Sequence, residues 1–146
     1  MKSLFIYYSL SGNGDIVAKY LKEKDFEIRK IESLKKLPKR LFFQILAGGF
    51  RAGLKIKDKL SEYDKNIDAF DKIYIGTPVW NGQVSCPINR VLDDLDLSNK
   101  DVTLVLYSGS GKAPKIEKLV AKKYPNFKII NLQEPQKHQE QLTKLD

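Results

Sequence analysis

One stretch decides the fold prediction: Ser9-Leu10-Ser11-Gly12-Asn13-Gly14-Asp15, or SLSGNGD, which joins an apolar run to the start of a helix. The run before it, Leu4–Tyr8, is apolar along its length, which is typical of a strand that is covered on both faces of a parallel sheet. The stretch itself is rich in hydroxyls and glycines. Such a loop is either a tight strand-to-helix turn or a cradle in which backbone N–H groups and hydroxyls bind a phosphate group.

Composition bounds the class of protein. The chain has 146 residues, of which 42% are hydrophobic and 30% charged, and this predicts a globular protein with one domain over residues 1–146. No apolar run approaches the roughly 20 residues that span a bilayer, and the N-terminus lacks the pattern of a signal peptide. The lone Cys86 cannot form an internal disulfide. We therefore expect a cytoplasmic protein without a membrane segment.

The net charge is +8, from 26 basic and 18 acidic residues. A basic surface favours acidic protein partners and attracts nucleic acid. The basic residues are spread along the chain, however, and the aromatic residues lie mainly in apolar runs. We find no nucleic-acid module and expect no specific nucleic-acid partner. The spread is typical of a solvated, lysine-rich surface.

Strand and helix patterns alternate along the chain. Apolar runs predict five strands, at Lys2–Tyr8, Phe26–Ile31, Lys72–Ile75, Val102–Tyr107 and Phe127–Leu132. Apolar stripes at helical spacing predict helices at Asp15–Lys24, within Leu34–Leu60 with a break near Gly48-Gly49, from an N-cap at Ser85 to Leu95, and at Pro114–Tyr124 with Ile116, Leu119 and Val120 inward. We expect a short, polar terminal helix at Gln136–Leu145. The alternation predicts an α/β fold with a mostly parallel sheet, helices on both faces and Phe26–Ile31 near an edge.

Three polar, glycine-containing loops follow three of these strands: Ser9–Gly14, Gly76–Gly82 and Ser108–Gly111. The carboxyl ends of parallel strands meet at one edge of the sheet, where such folds bind ligands at the point of reversal in strand order. The second loop carries Trp80, the only tryptophan of the chain. We expect its ring to be exposed at the strand end and to cover a planar ligand. The alternative is that the ring folds back into the core.

The loops resemble those of a known family. Ser9-Leu10-Ser11-Gly12-Asn13 is similar to the phosphate loop of flavodoxins, and Gly76-Thr77-Pro78-Val79-Trp80 resembles the flavin-contacting segment of flavodoxin-like proteins. Ser108-Gly109-Ser110-Gly111 lies where the family has its second flavin loop. The resemblance covers nearly the whole chain. It implies a flavodoxin-like, doubly wound, five-stranded parallel sheet of order 2-1-3-4-5 that binds FMN.

The resemblance also assigns cofactor-binding residues. The FMN phosphate would lie in the loop formed by Ser9, Leu10, Ser11, Gly12, Asn13 and Gly14. One side of the flavin ring would contact Thr77, Pro78, Val79 and Trp80, with Asn81 and Gly82 near the redox-active edge. The other side would contact Ser108, Gly109, Ser110 and Gly111. No catalytic residue and no metal ligand is assigned.

One position departs from the family pattern. Gly14 stands where flavodoxins usually have threonine, and Asp15 follows it. A carboxylate that faced the phosphate would repel it, so we expect Asp15 to point outward. The flavin segments, residues 76–92 and 102–116, contain no Asp or Glu. We therefore expect little repulsion of a reduced flavin and a less negative potential for its second electron.

Three functions are compatible with these residues. The first is an electron-transfer protein that shuttles electrons between redox partner proteins, for which the basic surface suggests acidic partners. The second is a small NAD(P)H-dependent reductase of quinones or similar acceptors. The third is a binding module that has the fold without the flavin. Other chemistries of α/β folds lack their residues: for a P-loop, Leu106 stands where glycine is needed and Ala113 where Ser or Thr is needed.

Overall fold

The structure is a computed structural model that describes residues 2–32 and 62–146. The predicted helix within Leu34–Leu60, with its break near Gly48-Gly49, lies outside the described residues. Within the part that is described, no helix is long and apolar enough to cross a membrane.

Strands and helices alternate, as the sequence predicts. The strands are β1 (Ser3–Tyr7), β2 (Glu27–Lys30), β3 (Lys72–Trp80), β4 (Gln83–Val84), β5 (Asp101–Ser108) and β6 (Lys128–Gln133). The α-helices of the described residues are α1 (Asn13–Lys22), α2 (Cys86–Asp94) and α3 (Pro114–Lys123), and a 3₁₀ helix follows at Gln139–Leu145.

The sheet has the predicted parallel order. The strands lie in the order β2-β1-β3-β5-β6, with each neighbouring pair parallel. The two-residue β4 is an addition that pairs antiparallel with β3. Without β4 the order is 2-1-3-4-5, so the fold prediction is confirmed, and β2 lies at an edge. The strand order reverses beside β1 and β3, and their carboxyl ends define the place where a ligand is expected.

Alternating side chains of β1 belong to two hydrophobic cores, because successive residues of a strand point to opposite faces. Leu4 and Ile6 are buried in the core that also contains side chains of α2 and α3. Phe5 and Tyr7 are buried in the core that contains side chains of α1 and the 3₁₀ helix. The helices therefore cover both faces, which explains why the first strand is apolar along its length.

The sequence predicts that the third strand ends at Ile75 and that a loop continues to Pro87, and this is wrong. β3 continues to Trp80 and returns as β4 through a two-residue turn. The turn residues Asn81-Gly82 have φ values of 52° and 73°. Positive φ at both central positions is the requirement of a tight hairpin turn, and Asn-Gly is the sequence that meets it best.

Two details of the helices also differ from the predictions. Leu119 of α3 was expected to point inward, but its side chain is 42% exposed. The reason is that its stripe neighbours Ile116 and Val120 already fill the core beneath α3. The C-terminal segment, predicted as a short polar helix, is a 3₁₀ helix over Gln139–Leu145, and its Leu142 and Leu145 are buried against the core on the α1 side.

Gly14, in the first turn of α1, explains the departure from the family pattern. A Cβ atom at this position would lie 2.7 Å from the Tyr107 hydroxyl oxygen and 2.8 Å from side-chain atoms of Ser9 and Tyr7. No threonine fits there without displacing its neighbours. The residue is glycine because the helix start lies directly against β1 and β5.

This contact predicts that Gly14→Ala destabilises the protein. Overpacking typically costs about 1–3 kcal/mol, which opposes the roughly 1 kcal/mol that alanine gains over glycine inside a helix. Urea denaturation should therefore show a lower free energy of unfolding. The matched control is Gly109→Ala, because a Cβ there would meet only a Glu134 oxygen at 3.8 Å. A Gly14→Ala protein as stable as the wild type would contradict the assigned packing.

Candidate functional site

A cavity of about 450 Å³ lies at the carboxyl ends of the strands, within the roughly 300–1,000 Å³ that small-molecule sites occupy. Four chain segments line it: the loop after β1, the end of β3, the end of β5 and the segment after β6. The lining residues are Ser11, Asn13, Pro78, Val79, Trp80, Tyr107, Ser108, Gly109, Glu134, Gln136 and Lys137. The three loops that the sequence singled out therefore meet, and a fourth segment joins them.

The loop after β1 is shaped by Ser9. Its hydroxyl oxygen accepts hydrogen bonds from the backbone N–H groups of Gly12 at 3.2 Å and Gly14 at 3.0 Å. Gly12 has a φ of 94°, which favours glycine, and α1 begins immediately after it. Ser9 does not line the cavity, whereas Ser11 and Asn13 do. Ser9 is therefore the residue that closes the loop, and Ser11 and Asn13 are the ones that face a ligand.

Asp15 points away from the cavity, as expected. The Tyr7 hydroxyl donates a hydrogen bond to its Oδ1 at 2.7 Å, and the Lys30 ammonium lies 3.0 Å from the same oxygen. Burial, followed by the hydrogen bond to Asp15, raises the pKa of Tyr7 above its usual value, so the phenol stays a donor. The carboxylate is thus paired on the β2 side and adds no direct repulsion inside the cavity.

Tyr107 forms a fixed part of the cavity wall. Its side chain is buried and its hydroxyl donates a hydrogen bond to the Tyr8 carbonyl oxygen. Burial raises the pKa of Tyr107 well above its usual value, and the nearby Tyr7 acts in the same direction. The phenol is therefore neutral and already engaged as a donor.

Trp80 is in the cavity wall but is not exposed as predicted. It is 1% exposed and packs edge-on against Tyr8, with ring centroids 5.8 Å apart. The hairpin carries it inward because Trp80 is the last residue of β3, whose pleat alternates faces. Its indole N–H is buried with no acceptor among the described residues. An unpaired buried donor costs roughly 1–3 kcal/mol, so it requires an explanation.

Thr77 anchors the hairpin instead of facing the cavity. Its hydroxyl oxygen lies 2.8 Å from both the Pro78 carbonyl oxygen and the Ser85 hydroxyl, and it accepts the Ser85 N–H at 3.1 Å. The side chains of Thr77 and Ser85 are both fully buried. Ser85 occupies the predicted N-cap position of α2, but its hydroxyl bonds Thr77 and makes no capping hydrogen bond.

The segment after β6 was not predicted to belong to the site. The Gln136 N–H donates to Asn13 Oδ1 at 3.0 Å, and the Gln136 side-chain amide lies 3.3 Å from the position of a Cβ on Gly12. Lys137 and Glu134 form an ion pair at 3.5 Å. One feature of the sequence could have identified this segment: it follows the carboxyl end of a predicted parallel strand, as the three predicted loops do. Glu134 lines the cavity, so a carboxylate lies close to the site even though the predicted flavin segments, residues 76–92 and 102–116, contain none.

The other predicted residues lie around the cavity rather than in its wall. Asn81 and Gly82 form the hairpin tip, and Gly82 lines a separate groove. Leu10 packs against the core on the α2 and α3 side. Ser110 bonds the backbone of Lys112, and the N–H of Gly111 donates to the Ser108 hydroxyl at 2.9 Å.

Comparison with solved structures shows the same fold in flavoproteins. A protein from Bacteroides uniformis, provisionally named a flavoprotein, has a TM-score of 0.70 and 25% identity over 88% of this chain and 86% of that one. A flavoprotein in complex with FMN from Lactobacillus acidophilus has a TM-score of 0.67 and 23% identity over 95% and 97%. An NADPH-quinone reductase from P. pentosaceus has a TM-score of 0.51 and 11% identity over 98% and 94%. The latter two support the fold alone.

Sequence comparison gives the family. No curated protein matches the chain. A family model described as NADPH-dependent FMN reductase matches residues 1–134, which include every segment that lines the cavity up to Glu134. The fold, the position of the cavity and this match agree. The chain belongs to the NADPH-dependent FMN reductase family.

Proposed function

We propose that this protein binds FMN in the cavity at the carboxyl ends of the strands and acts as an FMN-dependent oxidoreductase that takes its electrons from NADPH. The observation that carries the proposal is the cavity, in which a hydroxyl-bearing loop at a helix start meets the wall that contains Trp80. Family membership supplies the electron donor. When bound, FMN supplies reversible redox chemistry, and the protein supplies binding, orientation and electrostatics.

The phosphate end fits the loop after β1. Ser11 and Asn13 line the cavity at the start of α1, where backbone N–H groups and the helix dipole favour an anion. Lys137 lines the same cavity and adds a cation, which also pairs with Glu134 at 3.5 Å. Asp15, the nearby carboxylate of α1, is paired with Lys30 on the other side. These features support a dianionic group next to Ser11.

The ring end fits the wall formed by the end of β3. Pro78, Val79 and Trp80 supply apolar surface, and Gly109 lies on the facing loop. The indole N–H of Trp80 is buried without an acceptor among the described residues, and this unsatisfied donor in the cavity wall supports a ligand here. Tyr107 uses its proton on Tyr8, so it holds the wall and is not assigned as an acid.

A shuttle between protein partners is the second candidate. The net charge of +8 favours it, because a basic surface attracts acidic redox partners with salt-sensitive association. The two candidates share the FMN site and differ in whether NADPH reduces the protein directly.

The phosphate assignment predicts a difference between two flavins. FMN and riboflavin differ only by the phosphate, so Ser11→Ala and Lys137→Gln should each weaken FMN binding by roughly three- to tenfold and leave riboflavin binding unchanged. The fluorescence of Trp80, the only tryptophan, reports both titrations without a label.

The control for that titration is Lys22→Gln, which removes the same charge at the far end of α1 and should change neither affinity. Equal losses for FMN and riboflavin would mean that the variants disturb the fold rather than the phosphate contact. An absence of FMN binding by the wild type would contradict the proposal and leave a binding module without flavin.

Direct reduction separates the reductase from the shuttle. The purified FMN-loaded protein, mixed with NADPH and a soluble quinone, should oxidise NADPH catalytically, as followed at the nicotinamide absorbance band. The protein without added FMN is the control and should be much slower. Turnover that requires a separate reductase protein would contradict the reductase proposal and favour the shuttle.

A further inference from the structure

A second groove, of about 380 Å³, lies beside the hairpin that contributes the wall of the cavity. Gly82 and Val84 of the hairpin form one side, Asn89 of α2 lies next to them, and α3 forms the other side. The groove is close to the hairpin tip, because the Lys115 side chain comes within 3.1 Å of the Cβ position on Gly82. A molecule in this groove would therefore lie next to the Asn81-Gly82 turn.

The face of α3 that lines the groove combines charge with apolar surface. Lys115, Lys118, Leu119 and Lys122 follow the i, i+3, i+4, i+7 spacing of one helix face. The three lysines are exposed, and none has an ion-pair partner in the described ranges 2–32 and 62–146. Leu119, between them on this face, is a large apolar side chain that is 42% exposed.

The electrostatics of the groove favour an anion. The described residues that line it include no Asp or Glu. Like charges at neighbouring positions of one helix face repel each other, so an anion that lies among the three ammonium groups relieves that repulsion. The apolar surface of Leu119 and Val84 favours a ligand that also carries a flat, poorly hydrated group.

We propose that this groove binds the adenosine half of NADPH, with its 2′-phosphate among Lys115, Lys118 and Lys122 and its adenine on the apolar surface of Leu119. This assignment rests on the proposed function, in which NADPH is the electron donor. The hairpin that lines this groove at Gly82 and Val84 lines the cavity at Trp80, so the two surfaces lie on the same hairpin. The groove is concave and has the volume of a small-molecule site. This shape favours a nucleotide over a protein partner, which would present a flatter surface.

The probe is adenosine 2′,5′-bisphosphate, which carries the 2′-phosphate but has no nicotinamide and cannot be turned over. Calorimetry with the FMN-loaded protein should show that it binds, and adenosine 5′-monophosphate should bind roughly tenfold or more weakly because it lacks the second anionic group. Lys118→Gln and Lys122→Gln should each weaken the probe by roughly two- to fivefold, the range of a partly screened ion pair.

Lys123→Gln is the matched control, because it removes the same charge from the same helix but lies over the Tyr124 ring outside the groove. It should leave the affinity unchanged. The assignment is overturned if the bisphosphate does not bind, or if Lys123→Gln weakens it as much as Lys118→Gln does. Binding of an acidic protein partner without binding of the bisphosphate would also overturn it and make the groove a docking surface.

The kinetic readout separates this proposal from the function itself. Lys118→Gln and Lys122→Gln should raise the KM for NADPH while the KM for NADH and the affinity for FMN stay unchanged. If the wild type oxidises NADPH and the two substitutions leave the KM for NADPH unchanged, the groove assignment fails and the reductase proposal stands. If FMN does not bind at all, the reductase fails, whatever the bisphosphate does.

Discussion

The site depends on the close contact between the start of α1 and the sheet. Gly14 leaves no room for a side chain between Tyr7, Ser9 and Tyr107, and its N–H closes the loop by donating to the Ser9 hydroxyl. This contact fixes the helix start at the carboxyl ends of the strands, where its N–H groups favour an anion. The phenol of Tyr107 fits over the same glycine and, through Tyr8, ties β5 to the end of β1.

The resemblance to flavodoxins implied the strand order, whereas the apolar patterns indicated only a mostly parallel sheet, because a strand that is buried on both faces leaves a clear signal. The apolar patterns did not predict the course of the chain after Ile75, since Gly76 and Pro78 are residue types that strand interiors rarely contain, and the Asn81-Gly82 turn is a local signal of a different kind. The exposure of Leu119 was missed for another reason. Helical spacing identifies an apolar face, but only packing decides which of its members reaches the core.

The charge of the cavity could not be predicted by counting acidic residues near the expected loops. Glu134 follows β6, and the parallel pairing of β6 with β5 brings it beside Gly109. Its φ of 35° lies in the left-handed region, which is strained for a residue with a side chain. Lys137, 3.5 Å away, offsets its charge. The electrostatic effect on a bound flavin therefore depends on an ion pair and not on an absence of carboxylates.

The hairpin relates the two proposed binding surfaces. Trp80 at the end of β3 lies in the cavity wall, while Gly82 and Val84, only a few residues later, line the second groove, which contains Lys115, Lys118 and Lys122. A loop at this position would let the two surfaces move independently. The buried hydroxyls of Thr77 and Ser85 join the base of the hairpin to the start of α2, and a buried polar pair of this kind is costly to break. A ligand that contacts both surfaces would therefore meet walls that are held in place, which reduces the conformational entropy lost on binding.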